Sequence, residues 1–342
     1  MNTLDTSLLS DENGAVTTGT TTNPHRRTLD SDCDPDGVIG RDRQLRRLSD
    51  LSVKRAIEPD TEFAWGTLGP ERVMPDELLS IAGLDLDLDE GTRAQLSRLE
   101  VSSMLAAGIR FEAALNGILS HWIMRADRLD DPRFEYMLHE VGEETRHQRA
   151  FLRLRSELAA DATNPLDGRL VRAFRDRMLR KAERERAFFA VLLLAGEEVP
   201  DRLQLLAAEH SDTDPLIRAV NKYHRAEEAR HLSFARTLLV DAAPHATRAE
   251  RRRIRRVAPF VIGGLYESMV HPGVYRSVGL PGLSTWRRAH RTPQRVAIRV
   301  AATRPILRDL LECGLLDAGR VPRAWQRLCA VDRHATPRPG AD

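Results

Sequence analysis

One five-residue pattern occurs twice in this chain and constrains it more than any other feature. Residues 143–147 read Glu-Glu-Thr-Arg-His, and residues 227–231 read Glu-Glu-Ala-Arg-His. Both fall in segments with helical periodicity. In each, the second Glu and the His are three apart: Glu144 with His147, and Glu228 with His231. Residues so spaced project from one helix face about one turn apart, so a carboxylate and an imidazole can reach the same metal ion. A di-metal helical bundle also draws one Glu from each of two further helices. Glu112 lies 32 residues before Glu144 (144 − 112), and Glu197 lies 31 before Glu228 (228 − 197). The near-equal offsets indicate two similar helix pairs facing each other. Glu112 stands among Phe111, Ala113, Ala114 and Leu115. Burying a carboxylate there costs several kcal/mol unless a cation or partner compensates it. Glu197 has Glu198 beside it and Pro200 close by, so the choice between the two Glu residues stays open. A single E-x-x-H marks no more than a polar helix face; two copies, each with a Glu at matched distance, point to two metal ions.

The rest of the chain supports an all-α reading. Residues 1–42 are rich in Thr, Asp, Gly and Asn without periodicity, and are expected to form a disordered tail. Residues 43–335 are expected to form a single domain. A short helical pattern covers Gln44 to Asp60, and residues 61–91 are broken by Gly66, Gly69, Pro70 and Pro75. Helices are then expected over Arg93 to Ala126, from Asp131-Pro132 to about Ala159, from Gly168 to Glu197 with Pro200 just beyond, and from Asp214-Pro215 to about Val240. Further helices are expected over Ala249 to Val270 and Pro293 to Leu316, separated by a Gly- and Pro-rich loop. No strand series with turn signals occurs in this core.

Bulk properties exclude several classes. The formal charge is +2 and Lys occurs only at Lys54, Lys181 and Lys222. The arginine-dense run Arg248 to Arg256 therefore reads as a solvated helix turn, and neither nucleic acid nor membrane is an expected partner. No apolar run approaches the length of a bilayer span. The N-terminus lacks the basic, then apolar, order of a secretory signal, so a cytoplasmic location is expected. Cys33, Cys313 and Cys329 show no C-x-x-C spacing and read as free thiols. No dinucleotide, P-loop or nucleophile-elbow motif is present.

The two halves, each an upstream Glu followed by E-E-x-R-H, resemble the diiron oxygenases of the ferritin-like class. The closer resemblance, over about residues 90 to 300, is to the p-aminobenzoate N-oxygenase family. Its mark is His224, four residues before Glu228 and on the same helix face; the matching position in the first half is Glu140. Carried over by position, the resemblance implies a ferritin-like helical bundle with additional helices. It implies two iron ions held by Glu112, Glu144, His147, Glu197, His224, Glu228 and His231, with His224 as the added ligand. The first motif has Glu143 where Asp is common in the family.

The remaining motif residues have a physical role of their own. Metal-bound imidazoles usually donate their free N–H to a carboxylate. Glu143 and Glu227 are placed to accept it, each from the His of the opposite half. Arg146 and Arg230 can hold those carboxylates in bidentate pairs, or else form surface salt bridges.

The resemblance implies that two reduced irons and O2 oxidise an aryl amine nitrogen, through hydroxylamine towards a nitro group, in natural-product biosynthesis. Electrons must come from an external donor. The alternatives are a diiron hydroxylase acting on carbon and a non-catalytic ferritin-like iron-handling protein. Manganese also suits a carboxylate-rich site, and a homodimer is admissible. If the substrate is acidic, like the family's name-giving one, an Arg should anchor it. Arg295, Arg299 and Arg304 are offered by the helix after Pro293, and Arg304 is chosen because Pro305 is expected to bend or break the helix there.

Overall fold

The computed structural model describes residues 35–126, 128–164 and 168–338. The chain begins with α1 (Pro35–Lys54) and the single turn α2 (Pro59–Glu62). Two long hairpins follow: α3 (Glu90–Met124) with α4 (Pro132–Leu158), then, after α5 (Arg169–Arg184), α6 (Arg186–Glu209) with α7 (Pro215–Ala242). The C-terminal third carries α8 (Arg248–Arg256), α9 (Ala258–Ser268), α10 (Pro272–Ser277), α11 (Gly282–Ala289), α12 (Pro293–Glu312) and α13 (Arg323–Cys329). Among the described residues the only β feature is an isolated bridge between Val331 and Pro337, so the fold is all-α. None of the described helices is long and apolar enough to cross a membrane.

The expected helix starts are built as the sequence indicates. Asp131 and Asp214 each accept a backbone N–H two residues on, from Arg133 at 2.9 Å and Leu216 at 2.8 Å. Pro132 and Pro215 occupy the first turn, where the missing N–H has no intrahelical partner to lose. Thr247 and Glu250 close a reciprocal capping box at the start of α8.

Several boundaries differ from expectation. The expected tail falls mainly on residues 1–34, outside the described residues, and from Pro35 the chain is already helical, so the boundary at residue 42 is too late. The single helix expected over 168–197 is two helices that part at Glu185. Pro200 does not end α6, which continues to Glu209, and Pro305 likewise lies inside α12. A proline in a helix interior loses a hydrogen bond and crowds the carbonyl four residues back. Here α6 is held on several sides, by α7, α12, α9 and α5, and this packing outweighs the local penalty. The loop expected over 272–282 contains the short helix α10.

The hairpin α3–α4 packs against α6–α7 through α4 on α7 and α3 on α6, giving a four-helix core. Helix α12 lies along α6, α1 along α4 and α7, and α10 against α3. The buried apolar residues form two clusters. One contains Leu115, Leu119, Tyr136, Leu193, Leu194 and Phe234. The other contains Leu96, Leu99, Phe151, Leu154, Ile217 and Val220. On each core helix, Glu112, Glu144, Glu197 or Glu228 lies between stretches belonging to the two clusters. The core therefore has a layer of buried charge across its middle.

Gly196 shows how closely α3 and α6 approach at this layer. A Cβ there would fall 1.6 Å from Cζ of Phe111. Gly196→Ala should therefore force the ring aside and destabilise the protein by about 1–3 kcal/mol, the usual range for overpacking. In denaturant titrations, adding Phe111→Ala should relieve the overlap. A double variant that loses the full sum of the two single losses would show that this contact is not what requires glycine.

Candidate metal centre

The four core helices bring their polar residues together in two shells. In the outer shell, each motif histidine is tied to the opposite half. His147 Nε2 lies 2.9 Å from Glu227 Oε2, and His231 Nε2 lies 2.8 Å from Glu143 Oε2. Each Nε2–H donates to a carboxylate, which turns Nδ1 inward, where loss of its proton frees a lone pair for a cation. The arginines cross between the halves in the same sense. Arg146 Nη2 is 3.4 Å from Glu227 Oε1, and Arg230 Nη2 is 2.6 Å from Glu143 Oε1. These are single contacts and not the bidentate forks expected, because each carboxylate gives its other oxygen to an imidazole.

In the inner shell, His147 Nδ1 lies 3.5 Å from Glu144 Oε2 and 3.4 Å from Glu228 Oε1. His231 Nδ1 lies 3.0 Å from Glu144 Oε1 and 3.2 Å from Glu228 Oε2. Glu144 and Glu228 thus stand between the two imidazoles. Ligand atoms of Glu144, His147, Glu228 and His231 all lie within 4.8 Å of one another, as do those of Glu112, His147 and His224. Glu112, Glu144, Glu197 and Glu228 are all at most 4% exposed. Glu112 Oε2, both oxygens of Glu144, Glu197 Oε1, Glu228 Oε1 and His147 Nδ1 have no hydrogen-bond partner. Unsatisfied buried carboxylates are rare in folded proteins. Several of them converging, with inward-facing imidazole nitrogens between, form a donor set that fits divalent cations.

The electrostatics follow from this crowding. Burial, reinforced by the neighbouring carboxylates Glu144 and Glu228, raises Glu112 and Glu197 well above the usual carboxylate range. Burial opposes ionisation of Glu228 too, but the His231 and His224 imidazoles override it and hold this carboxyl well below that range. Burial would lower His147; the carboxylates of Glu144 and Glu227 outweigh it and carry the imidazole up to about 10. Glu143 is brought down to about 2 because His231 and Arg230 overcome its burial. The outer carboxylates are thus held ionised, while the inner shell without a cation shares protons.

His224 reaches the same layer from one turn earlier on α7. Its Nε2 is 3.2 Å from both Glu112 Oε1 and Glu228 Oε1, while Nδ1 is 2.9 Å from Gln204 Oε1. Nδ1–H therefore donates to Gln204 and Nε2 keeps its lone pair for the centre. Gln204 did not emerge from the motif search. The available signal was its position seven residues after Glu197, two turns along the same face of α6. Glu198 points away and is paired with Arg236, so Glu197 is the α6 carboxylate at the centre.

A cavity of about 740 Å³, its open mouth included, ends on Glu112, Glu197 and His224. Its walls are mainly apolar, with Leu105, Phe111, Phe151, Leu203, Ile217 and Met269 among them, and Gln204 and Asn221 add amide groups. Arg304 is not among its lining residues. Its Nε donates to the Cys329 carbonyl at 3.3 Å, which ties α12 to the end of α13. The expected break is absent: α12 continues through Pro305, and Arg304 faces the end of α13.

The family model described as p-aminobenzoate N-oxygenase AurF matches residues 40–314. Proteins described as uncharacterized from Mycobacterium bovis and Mycobacterium tuberculosis are 28% identical over 261 residues, covering 72% of this chain and 73% of theirs. The chain belongs to the p-aminobenzoate N-oxygenase family, a family of oxygenases.

Groups whose pKa is raised, such as His147 at about 10, carry protons at neutral pH in the metal-free protein. A dication must expel them, so its affinity should fall as pH falls. Titrating metal-free protein with ferrous or manganous ions in weak buffer should release protons. The apparent affinity should drop by about tenfold or more per pH unit between about pH 8 and 6. Binding independent of pH would contradict the protonated inner shell.

Proposed function

From its membership of this oxygenase family, we propose that the chain holds two iron ions and uses O2 to oxidise the nitrogen of an aryl amine towards a nitro group, in natural-product biosynthesis. The observation that carries the reading is the layer of uncompensated carboxylates and inward-facing imidazoles at the end of an apolar cavity. The ligands are Glu112, Glu144, His147, Glu197, His224, Glu228 and His231. Iron held there in its reduced state would supply electrons that make O2 reactive towards the amine. A protein that only handles iron has no need of an apolar cavity opening on the ligands, whereas an organic substrate does.

The chain's own residues do the rest. Glu227 and Glu143 fix the ring orientation and tautomer of His147 and His231. Arg146 and Arg230 keep those two carboxylates ionised. Gln204 does the same orienting work for His224. Phe151 stacks on the His224 ring with centroids 4.8 Å apart and forms part of the cavity wall beside it. The apolar walls take up an aromatic ring and leave its amine facing Glu112, Glu197 and His224. The electrons for each turnover would come from an external reductant.

Protein purified with iron available should contain two irons per chain, and His147→Ala or His231→Ala should lose most of the metal. His224→Ala should keep both irons and lose about tenfold or more in turnover, the scale on which groups that tune a metal act. Mass spectrometry of a panel of aryl amines, incubated with reduced iron-loaded protein and O2, should show hydroxylamine and nitro products. Consumption of O2 with ferrous iron alone, and no oxidised amine from any panel member, would favour iron handling instead.

A further inference from the structure

Glu140 is fully buried, at 0% exposure, and neither of its carboxylate oxygens has a hydrogen-bond partner. It stands one turn before Glu144 on α4, inside the polar layer, and no role described so far uses it. Tyr136, one turn earlier on the same face, is also fully buried, and its hydroxyl has no hydrogen-bond partner either. A buried carboxylate without a partner carries a penalty of several kcal/mol, so this position calls for a counter-group.

Its place in the two hairpins indicates which one. His224 precedes Glu228 by four residues on α7, and Glu140 precedes Glu144 by four on α4. His224 joins Glu112 and His147 in one ligand cluster. Exchanging the two halves exchanges Glu112 and His147 for Glu197 and His231, and His224 for Glu140. Glu144 and Glu228 lie between the two imidazoles and are shared. One metal position then has three ligands of its own, Glu112, His147 and His224, while the other has only Glu197 and His231.

We propose that Glu140 is an eighth metal ligand, completing the iron position held by Glu197 and His231. This rests on the diiron reading above. The charged groups that bear most on Glu140 are His231, Glu144 and Glu228, which belong to the same polar layer. The centre then has a nitrogen-rich position, with His147 and His224, and an oxygen-rich one, with Glu140 and Glu197.

The competing explanation is a neutral carboxylic acid packed in the core, and Glu140→Gln separates the two, because glutamine is isosteric with the neutral acid but a far poorer ligand. Full-length wild-type, E140Q and E140H proteins are stripped of metal, titrated anaerobically with ferrous iron and compared by iron stoichiometry and Mössbauer spectroscopy. The expected result is two irons in the wild type and an affinity for one of them lower by about tenfold or more in E140Q. One ferrous doublet should change and the other stay. E140H, which supplies an imidazole as at position 224, should restore the second iron with an altered doublet. Two irons in E140Q with unchanged affinity and unchanged doublets would overturn the proposal while leaving the diiron reading intact. Fewer than two irons in the wild type would overturn both. If metal-free E140Q does not fold, E140H carries the test: two irons with one altered doublet support the ligand role, and two unaltered doublets remove it.

Discussion

The structure depends on the burial of carboxylates in the middle of an otherwise apolar four-helix core. Glu112, Glu144, Glu197 and Glu228 come from four different helices and converge with few hydrogen bonds among them. Like charges so placed repel, and burial penalises each one separately. No rearrangement of the apolar clusters on either side removes that penalty. Protons do, on Glu112 and Glu197 and on the imidazoles, and so would a cation held between the carboxylates. The bundle is therefore assembled around a buried polar layer, and a cation bound there would couple its binding to folding.

The outer shell explains how such a layer keeps its geometry. Each histidine is oriented by a carboxylate from the opposite hairpin, and that carboxylate is held by an arginine from the hairpin carrying the histidine. The two hairpins are thus joined through the layer as well as through apolar packing. Rotating either imidazole would break a hydrogen bond to a carboxylate that is buried and ionised. This is the kind of support that holds ligands to the small tolerances that metal chemistry needs.

The two halves are similar but not identical, and the differences bear on function. His224 on α7 faces the cavity side of the layer and Glu140 on α4 is its counterpart. The close approach of α3 and α6 at Gly196, the proline inside α6 and the amide of Gln204 all lie along the same cavity wall. These three features lie along the cavity that opens on Glu112, Glu197 and His224. The opposite wall, around Phe188, Leu194 and Phe234, is continuous apolar packing.

The sequence by itself determined the all-α class, the starts of α4 and α7 and the Glu and His residues that meet in the polar layer. These follow from local rules: an Asp-Pro pair caps a helix, and a three-residue spacing puts Glu144 with His147, and Glu228 with His231, on one face wherever the helix lies. The matched offsets of Glu112 and Glu197 carried the same logic across one turn of chain. What only the tertiary structure decided lay beyond local spacing. Helix α6 runs through Pro200 because its neighbours hold it, and so Glu197 is the carboxylate that faces the centre while Glu198 meets Arg236. Arg304 meets α13 and does not line the cavity, and α12 continues through Pro305. Gln204 and Glu140 gain their significance from what surrounds them. A side chain's chemistry can be read from its identity, but whether it is buried, and against which charges, is set by helices that meet only in the folded chain.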